Sequence, residues 1–229
     1  MYPHKLTTLL TTFLLVFYFH LTAVAQRNRP TGGRVAVVVD ERLSALRSSP
    51  ELSGTLIRRI GRGRFVAIRG SKKTSDGIVF YRVSVSSRTQ GWMQREAVVS
   101  AYQLDDDKRL LALILSSTDF DRVARTRIFL NVFPKSTLRP RALLLFGEAA
   151  EEAAPRLTHD AVRRLGVLDS SYYLNYTGLD RYNRQGIRFT FDEVTRQFHY
   201  NGAAWRELIR RYPKSPEAIK ASERLTGGT

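Results

Sequence analysis

The sequence predicts a two-part chain, a small all-β domain followed by an α-helical one. Three observations carry this. Residues 34–102 hold five or six short strand-like runs punctuated by Gly, Pro and Ser turns, the pattern of a small barrel or sandwich. At Asp105 the character changes to acids followed by apolar stripes at helical spacing. The chain has no cysteine, so disulfides, thiol catalysis and a lipidated N-terminal cysteine are excluded and folding rests on the hydrophobic core.

In order along the chain, Met1–Lys5 leads into an apolar run, Leu9–Phe19, and then "LTAVAQ". Ala23-Val24-Ala25 has the small-x-small form a signal peptidase accepts, so residues 1–25 are expected to be a signal peptide cleaved between Ala25 and Gln26. The alternative is a retained anchor, since Leu6–Ala25 is long enough to span a bilayer. Arg27 and Arg29 on the outer side weigh against it. Cleavage implies a periplasmic or secreted protein with no membrane span. It leaves 204 of the 229 residues and lowers the formal charge from +16 by one, to +15.

That charge is uneven. Gln26–Ser100 carries 15 Lys/Arg against 5 Asp/Glu, and Ala101–Thr229 carries 21 against 16. In an exported protein the polyanions that such a basic half meets are wall polymers and lipid head groups rather than nucleic acid. Nucleic-acid binding would require retention in the cytoplasm.

Residues 26–33, "QRNRPTGG", read as a flexible leader. "RVAVVVDE" is a first strand, "ALRSSPELSG" a strand leaving into a long loop, and "GTLIRRIGRGRFVAIRG" two more strands around Gly61-Arg62-Gly63. "IVFYRVSVSS" alternates, with Val79, Tyr81, Val83 and Val85 on one face and Ile78, Phe80, Arg82 and Ser84 on the other. "GWMQREAVV" closes the domain.

From 105 to 229, "DDDKRLLALILSS" sets three acids in a first helical turn, where the helix dipole favours them. "DFDRVARTRIFLNVFP" is a helix stopped by Pro134. Pro140 stands at or near the start of the next helix. Thr158 is expected to cap a separate helix "RLTHDAVRRLG", with Leu157 and Val162 as its hydrophobic staple and Gly166 as its stop. "GIRFTFDEVTRQFHYNG" fits a helix or a β-hairpin, and the hairpin is favoured because "IRFTF" and "QFHY" alternate around "DEVTR". Ser215 caps a last helix that opens on Pro216.

Two aromatic-Pro-Lys-Ser turns, Phe133–Ser136 and Tyr212–Ser215, stand 79 residues apart, each between apolar helices. Proline stops the first helix and serine caps the second. "YNGAAWRELIRRYPKSPEAIKASERL" resembles a divergent tetratricopeptide-type repeat of bacterial envelope proteins, through Tyr200, Ala204, Leu208, Tyr212, Pro213, Ser215, Ala218, Ala221 and Leu225. "ALLLFGEAAEEAA" resembles the first helix of such a repeat, with Phe146-Gly147 at its Leu-Gly position. "SSYYLNYTGLDRYNRQG" does not fit the repeat, and its tyrosines suit either an interface patch or packing between irregular helices.

Val35–Ala101 resembles the bacterial Src-homology-3-like (SH3b-type) domain of exported wall-associated proteins. "ALRSSPELSGTLIRRIGRG" matches its arginine-bearing strand and Ser/Pro loop, and "VFYRVSVSSRTQGWMQREAVV" its aromatic strand, Gly-Trp pair and closing turn. The resemblances together imply an SH3-like β-barrel over 34–102 followed by a helical tetratricopeptide-like domain over 105–229.

No enzyme is expected. Wall hydrolases of cysteine–histidine type need a cysteine, and zinc amidases need a ligand cluster that His159 and His199, 40 residues apart, do not make. "GRGRF" lacks the Lys-Ser/Thr of a phosphate loop, so no cofactor or metal is expected. The candidate ligand-binding set is an aromatic groove with cationic edges: Arg47, Phe80, Tyr81, Arg82, Trp92, Arg95 and Tyr102. Core packing claims most of these rings first. The expected role is a non-catalytic exported adaptor, its barrel meeting cell-wall glycopeptide or a protein partner and its repeats docking another envelope protein. The alternative is an accessory subunit of an envelope enzyme that binds anionic polymer by charge. The exported chain is expected to begin at Gln26, and its intact mass checks this; a mass that includes residues 1–25 refutes cleavage.

Overall fold

The computed structural model describes residues 33–166 and 169–227. The expected signal segment, its expected cleavage point between Ala25 and Gln26, and residues 26–32 of the expected leader lie outside them.

Seven antiparallel strands come first: β1 (Arg34–Val38), β2 (Ala45–Arg47), β3 (Leu56–Arg59), β4 (Phe65–Lys73), β5 (Val79–Ser84), β6 (Gln90–Gln94) and β7 (Val98–Val99). Their order is β3-β2-β6-β5-β4-β1-β7. The alternation read from the sequence holds. Tyr81, Val83 and Val85 join Ala36, Val38, Leu46, Val66 and Met93 in a core that the sheet wraps, with Val79 packed against it.

A helical region follows: α1 (Asp106–Leu115), α2 (Asp119–Val132), α3 (Arg139–Leu165), α4 (Ser170–Leu174) and α5 (Asp180–Asn183). A hairpin of β8 (Phe189–Asp192) and β9 (Gln197–Tyr200) comes next, as favoured above, then α6 (Ala203–Arg211) and α7 (Pro216–Thr226). The coarse architecture, a β domain and then a helical one, is therefore present.

The two parts share a core. Val37 and Val39 turn away from the β-domain core and pack with Leu110, Ile114, Phe129 and the α3 leucines, as does Val99. Asp106 accepts a hydrogen bond from the Ser100 N–H (2.8 Å), which fixes the start of α1 to the end of β7. Arg125 of α2, 6% exposed, donates from Nε to the Val39 carbonyl (3.1 Å) and from a terminal nitrogen to Ser117 Oγ (2.7 Å).

Helix α3 is the post on which α2, β9, α6 and α7 pack. It corrects the expectation of two helices, because it runs unbroken through Pro155. The proline removes the N–H that the Glu151 carbonyl would accept. It sits on the exposed side of the helix, where water can satisfy that carbonyl. Thr158 is accordingly no cap: its hydroxyl donates to the Ala154 carbonyl (3.0 Å) and accepts the Phe198 N–H (2.8 Å), joining helix to hairpin. Val162 is exposed and makes no staple. Gly166 does end the helix, at φ 61°.

The two Pro-Lys-Ser turns differ in detail. Ser215 caps α7, accepting the Ala218 N–H (3.2 Å). Ser136 instead donates to the Asp107 carboxylate of α1 (2.6 Å), and α3 begins only at Arg139 with Pro140 in its first turn. In the irregular segment Tyr173, Tyr176 and Tyr182 are buried, so its tyrosines serve mainly packing; Tyr173 stacks on Phe191 at 4.4 Å.

Gly147 of α3 marks the tightest helix contact. A Cβ there would lie 2.0 Å from Nε1 of the buried Trp205 on α6. Helix propensity alone favours alanine by up to about 1 kcal/mol, but the buried, rigid indole would have to shift to admit the methyl group. Gly147→Ala is expected to lose about 1–3 kcal/mol of stability through overpacking, measured by urea unfolding. Gly61→Ala, where the added Cβ meets nothing, is the matched control.

Candidate functional site

The sheet register brings three of the sequence-chosen residues into one line. Trp92 on β6 stands opposite Arg82 on β5 and opposite Arg47 on β2. Directly opposed residues share a face of the sheet, so a half-exposed indole lies between two arginines on the side away from the β-domain core. Gly91 makes this possible. On the inner face, a Cβ at that position would lie 2.6 Å from the Arg47 carbonyl oxygen and 2.9 Å from Leu46. No side chain other than glycine's hydrogen lets β2 approach β6 so closely.

The other candidates divide. Phe80 shares the pleat face of Arg82 but is 1% exposed. Tyr81 is corrected outright: it faces the β-domain core opposite Met93, and burial pushes its phenol pKa up. Arg95 follows β6 in a short 3-10 turn. Tyr102 stands exposed on the loop beyond β7, at the far end of the strand order. Arg47 is partly committed, since one terminal nitrogen donates to the Gly54 carbonyl (2.8 Å) and closes the Ser48–Gly54 loop.

Charge on β2, β3, β5 and the turn after β6 is unspent. Among the described residues Arg47, Arg58, Arg82 and Arg95 enter no ion pair, whereas most helical pairs are local, such as Arg163 and Arg164 on Asp160. Tyr176 also donates to Asp160, and the three donors hold its carboxyl far below the usual range.

A second concavity was not anticipated. A groove of about 610 Å³ runs between α3, β9 and the α6–α7 pair. Ala154, Pro155, Val162, Phe198, Trp205 and Leu225 give it apolar walls, and an ion pair between Glu151 and Arg224 (3.1 Å) closes one side. His159 and His199, remote in sequence, both line it and both are exposed. No cluster of three metal-ligating side chains exists among the described residues. No family model matches the chain, and no curated protein or solved structure is similar to it.

Tyr200 borders the groove. Burial pushes its phenol up to about 12, although its oxygen accepts the Ala204 N–H at 2.7 Å. A pKa raised above the unfolded value near 10 stabilises the fold fully below that pH, and this is lost as pH rises toward 12. In a phenolate absorbance titration one late-ionising tyrosine is therefore expected near pH 12, and Tyr200→Phe should remove it. A titration curve unchanged by the substitution refutes the assignment.

Proposed function

We propose that the chain is a non-catalytic exported binding protein whose SH3-like barrel recognises an anionic, amide-rich wall glycopeptide, while its tetratricopeptide-like helices dock another envelope protein. The observation that carries this reading is the row Arg82–Trp92–Arg47. A flat indole stacks on sugar or peptide planes, and guanidinium groups on either side pair with carboxylates. The finer fold names rest on the sequence motifs, with which the strand count and the paired helices are compatible.

A second reading has its own support. The unpaired arginines of the β domain fit a charge-driven accessory subunit for anionic polymer. Salt separates the two, because screened attraction between exposed charges fades at ionic strengths that leave a stacked contact intact. Retention on purified peptidoglycan is expected to persist at 0.5 M salt, about where the Debye length falls to a few ångströms. Trp92→Ala should weaken it by roughly tenfold or more, the scale of an aromatic anchor. Binding that vanishes at moderate salt and ignores Trp92→Ala supports the polymer reading, and no retention at any salt removes both.

A further inference from the structure

The two edges of the seven-stranded sheet are treated in opposite ways. At β7, Val98 and Val99 are buried, helix α1 packs against the strand, and Arg109 donates to the Val98 and Glu96 carbonyls. At β3 no other described element covers the strand. It pairs only with β2, and all four of its residues are exposed. Ile60 donates to the Ser44 carbonyl (3.2 Å), so by alternation the N–H and C=O of Arg59 point the other way, into the open edge.

The side chains on this edge are ordered. Leu56 lies opposite Arg47 and Arg59 opposite Ala45, which puts them on one face. Arg58 lies opposite Leu46, and at Ile57 the register breaks in a bulge, so that Ile57 reaches the same side as Arg58, its Cδ1 3.0 Å from where a Gly91 Cβ would be. Each face therefore carries one aliphatic and one arginine side chain. Leu56 and Ile57 are 49% and 47% exposed, and Leu52 in the preceding loop is 51% exposed. An open edge with exposed aliphatics invites a further strand.

We infer that β3 is a docking edge for an extended acidic segment of a partner protein, added antiparallel as in every other pair of this sheet. In that orientation the added strand reads two consecutive acids, opposite Arg59 and Arg58, and then aliphatics beside the bulge at Ile57 and Leu56. Charge selects this occupant. A second copy paired antiparallel would set Arg59 and Arg58 against the aliphatic Leu56 and Ile57 of its partner, and crowd four arginines onto one short ladder with no carboxylate to match them. The chain's own leader is also basic, through Arg27 and Arg29. The inference stands apart from the Trp92 row, which is tested with peptidoglycan rather than peptide.

The probe is a capped hexapeptide, Thr-Glu-Glu-Val-Val-Thr, titrated into the isotope-labelled exported chain while the backbone amide resonances of Ile57, Arg58 and Arg59 are followed. Saturable shifts confined to β3 and its flanks are expected. The reversed peptide, Thr-Val-Val-Glu-Glu-Thr, should bind at least tenfold more weakly. So should the forward peptide N-methylated along the edge that faces β3, which keeps its charge but loses its backbone donors. Arg58→Glu with Arg59→Glu should abolish the shifts, circular dichroism confirming that the variant folds. Equal binding of the N-methylated peptide would reduce the interaction to charge and overturn strand addition. Equal binding of the reversed peptide would overturn the register. Amide shifts at β3 that depend on protein concentration alone, or on a peptide of residues 26–33, would hand the edge to a second copy or to the leader.

Discussion

The fold depends on one strand that is buried on both faces. β1 places Ala36 and Val38 in the core that the sheet wraps, while Val37 and then Val39 face the helices. A strand with water on one face alternates apolar with polar; "VAVVV" is apolar throughout because each parity has its own core. Such a strand cannot slip by one residue without exchanging its two sets of contacts. Arg125 fixes the junction further. Its guanidinium is buried, bonded to the Val39 carbonyl and Ser117, and lies 3.4 Å from Asp121. Removing it would strand a buried carbonyl, which costs more than the bond itself contributes.

Charge is partitioned by the same junction. Where the helices meet one another or the sheet, arginines are matched: Arg62 with Asp121 at 2.8 Å across the two parts, Arg139 with Glu207 and the Leu130 carbonyl, Arg109 with Asp106. Among the described residues, the arginines on β2, β3 and β5 enter no ion pair with a carboxylate. Part of the excess of 15 cations over 5 anions in that half of the chain thus has a location: Arg47, Arg58, Arg59 and Arg82 on the strands β2, β3 and β5. Matched cations cement; unmatched ones leave a potential for anions to find.

Much of this was legible in the sequence, and the parts that were not share a cause. Period-two alternation identified the inner residues of β5, and the alternating runs on either side of "DEVTR" identified the hairpin, because both signals are local. The sequence names Trp92 together with Arg47 and Arg82, but their register is a property of strand pairing that one strand does not encode. Tyr81 was placed in the groove on residue type although its parity with Val83 assigned it to the core. The largest departure lies around Pro155. The capping pattern at Thr158 predicts a separate helix, whereas α3 runs through the proline that ordinarily ends one. Read as one helix, Glu151, Pro155, Thr158, His159 and Val162 form a stripe at spacings of three and four. That stripe is the wall of the groove, and dividing the helix hid it. Ser136 shows the reverse case, a recognised capping pattern whose hydroxyl was claimed by Asp107 from a distant helix.

Continuity between the two parts also bears on the proposed binding role. An adaptor with a flexible joint lets each domain search for its ligand and gains by effective concentration. Here the connection from β7 to α1 is short and tied: Ser100 Oγ donates to the Val35 carbonyl (2.7 Å), its N–H to Asp106, and Gln103 donates back to the Ser100 carbonyl (3.1 Å). A hinge needs residues free to absorb a change in φ and ψ, and the valines on the helix-facing side of β1 would have to leave the helical core to permit one. The Trp92 row, the β3 edge and the α3 groove therefore keep fixed positions relative to one another. Ligands on the sheet and on the helices would be held at a set separation, and one could influence the other only through the field of the unpaired arginines, not through movement of the joint.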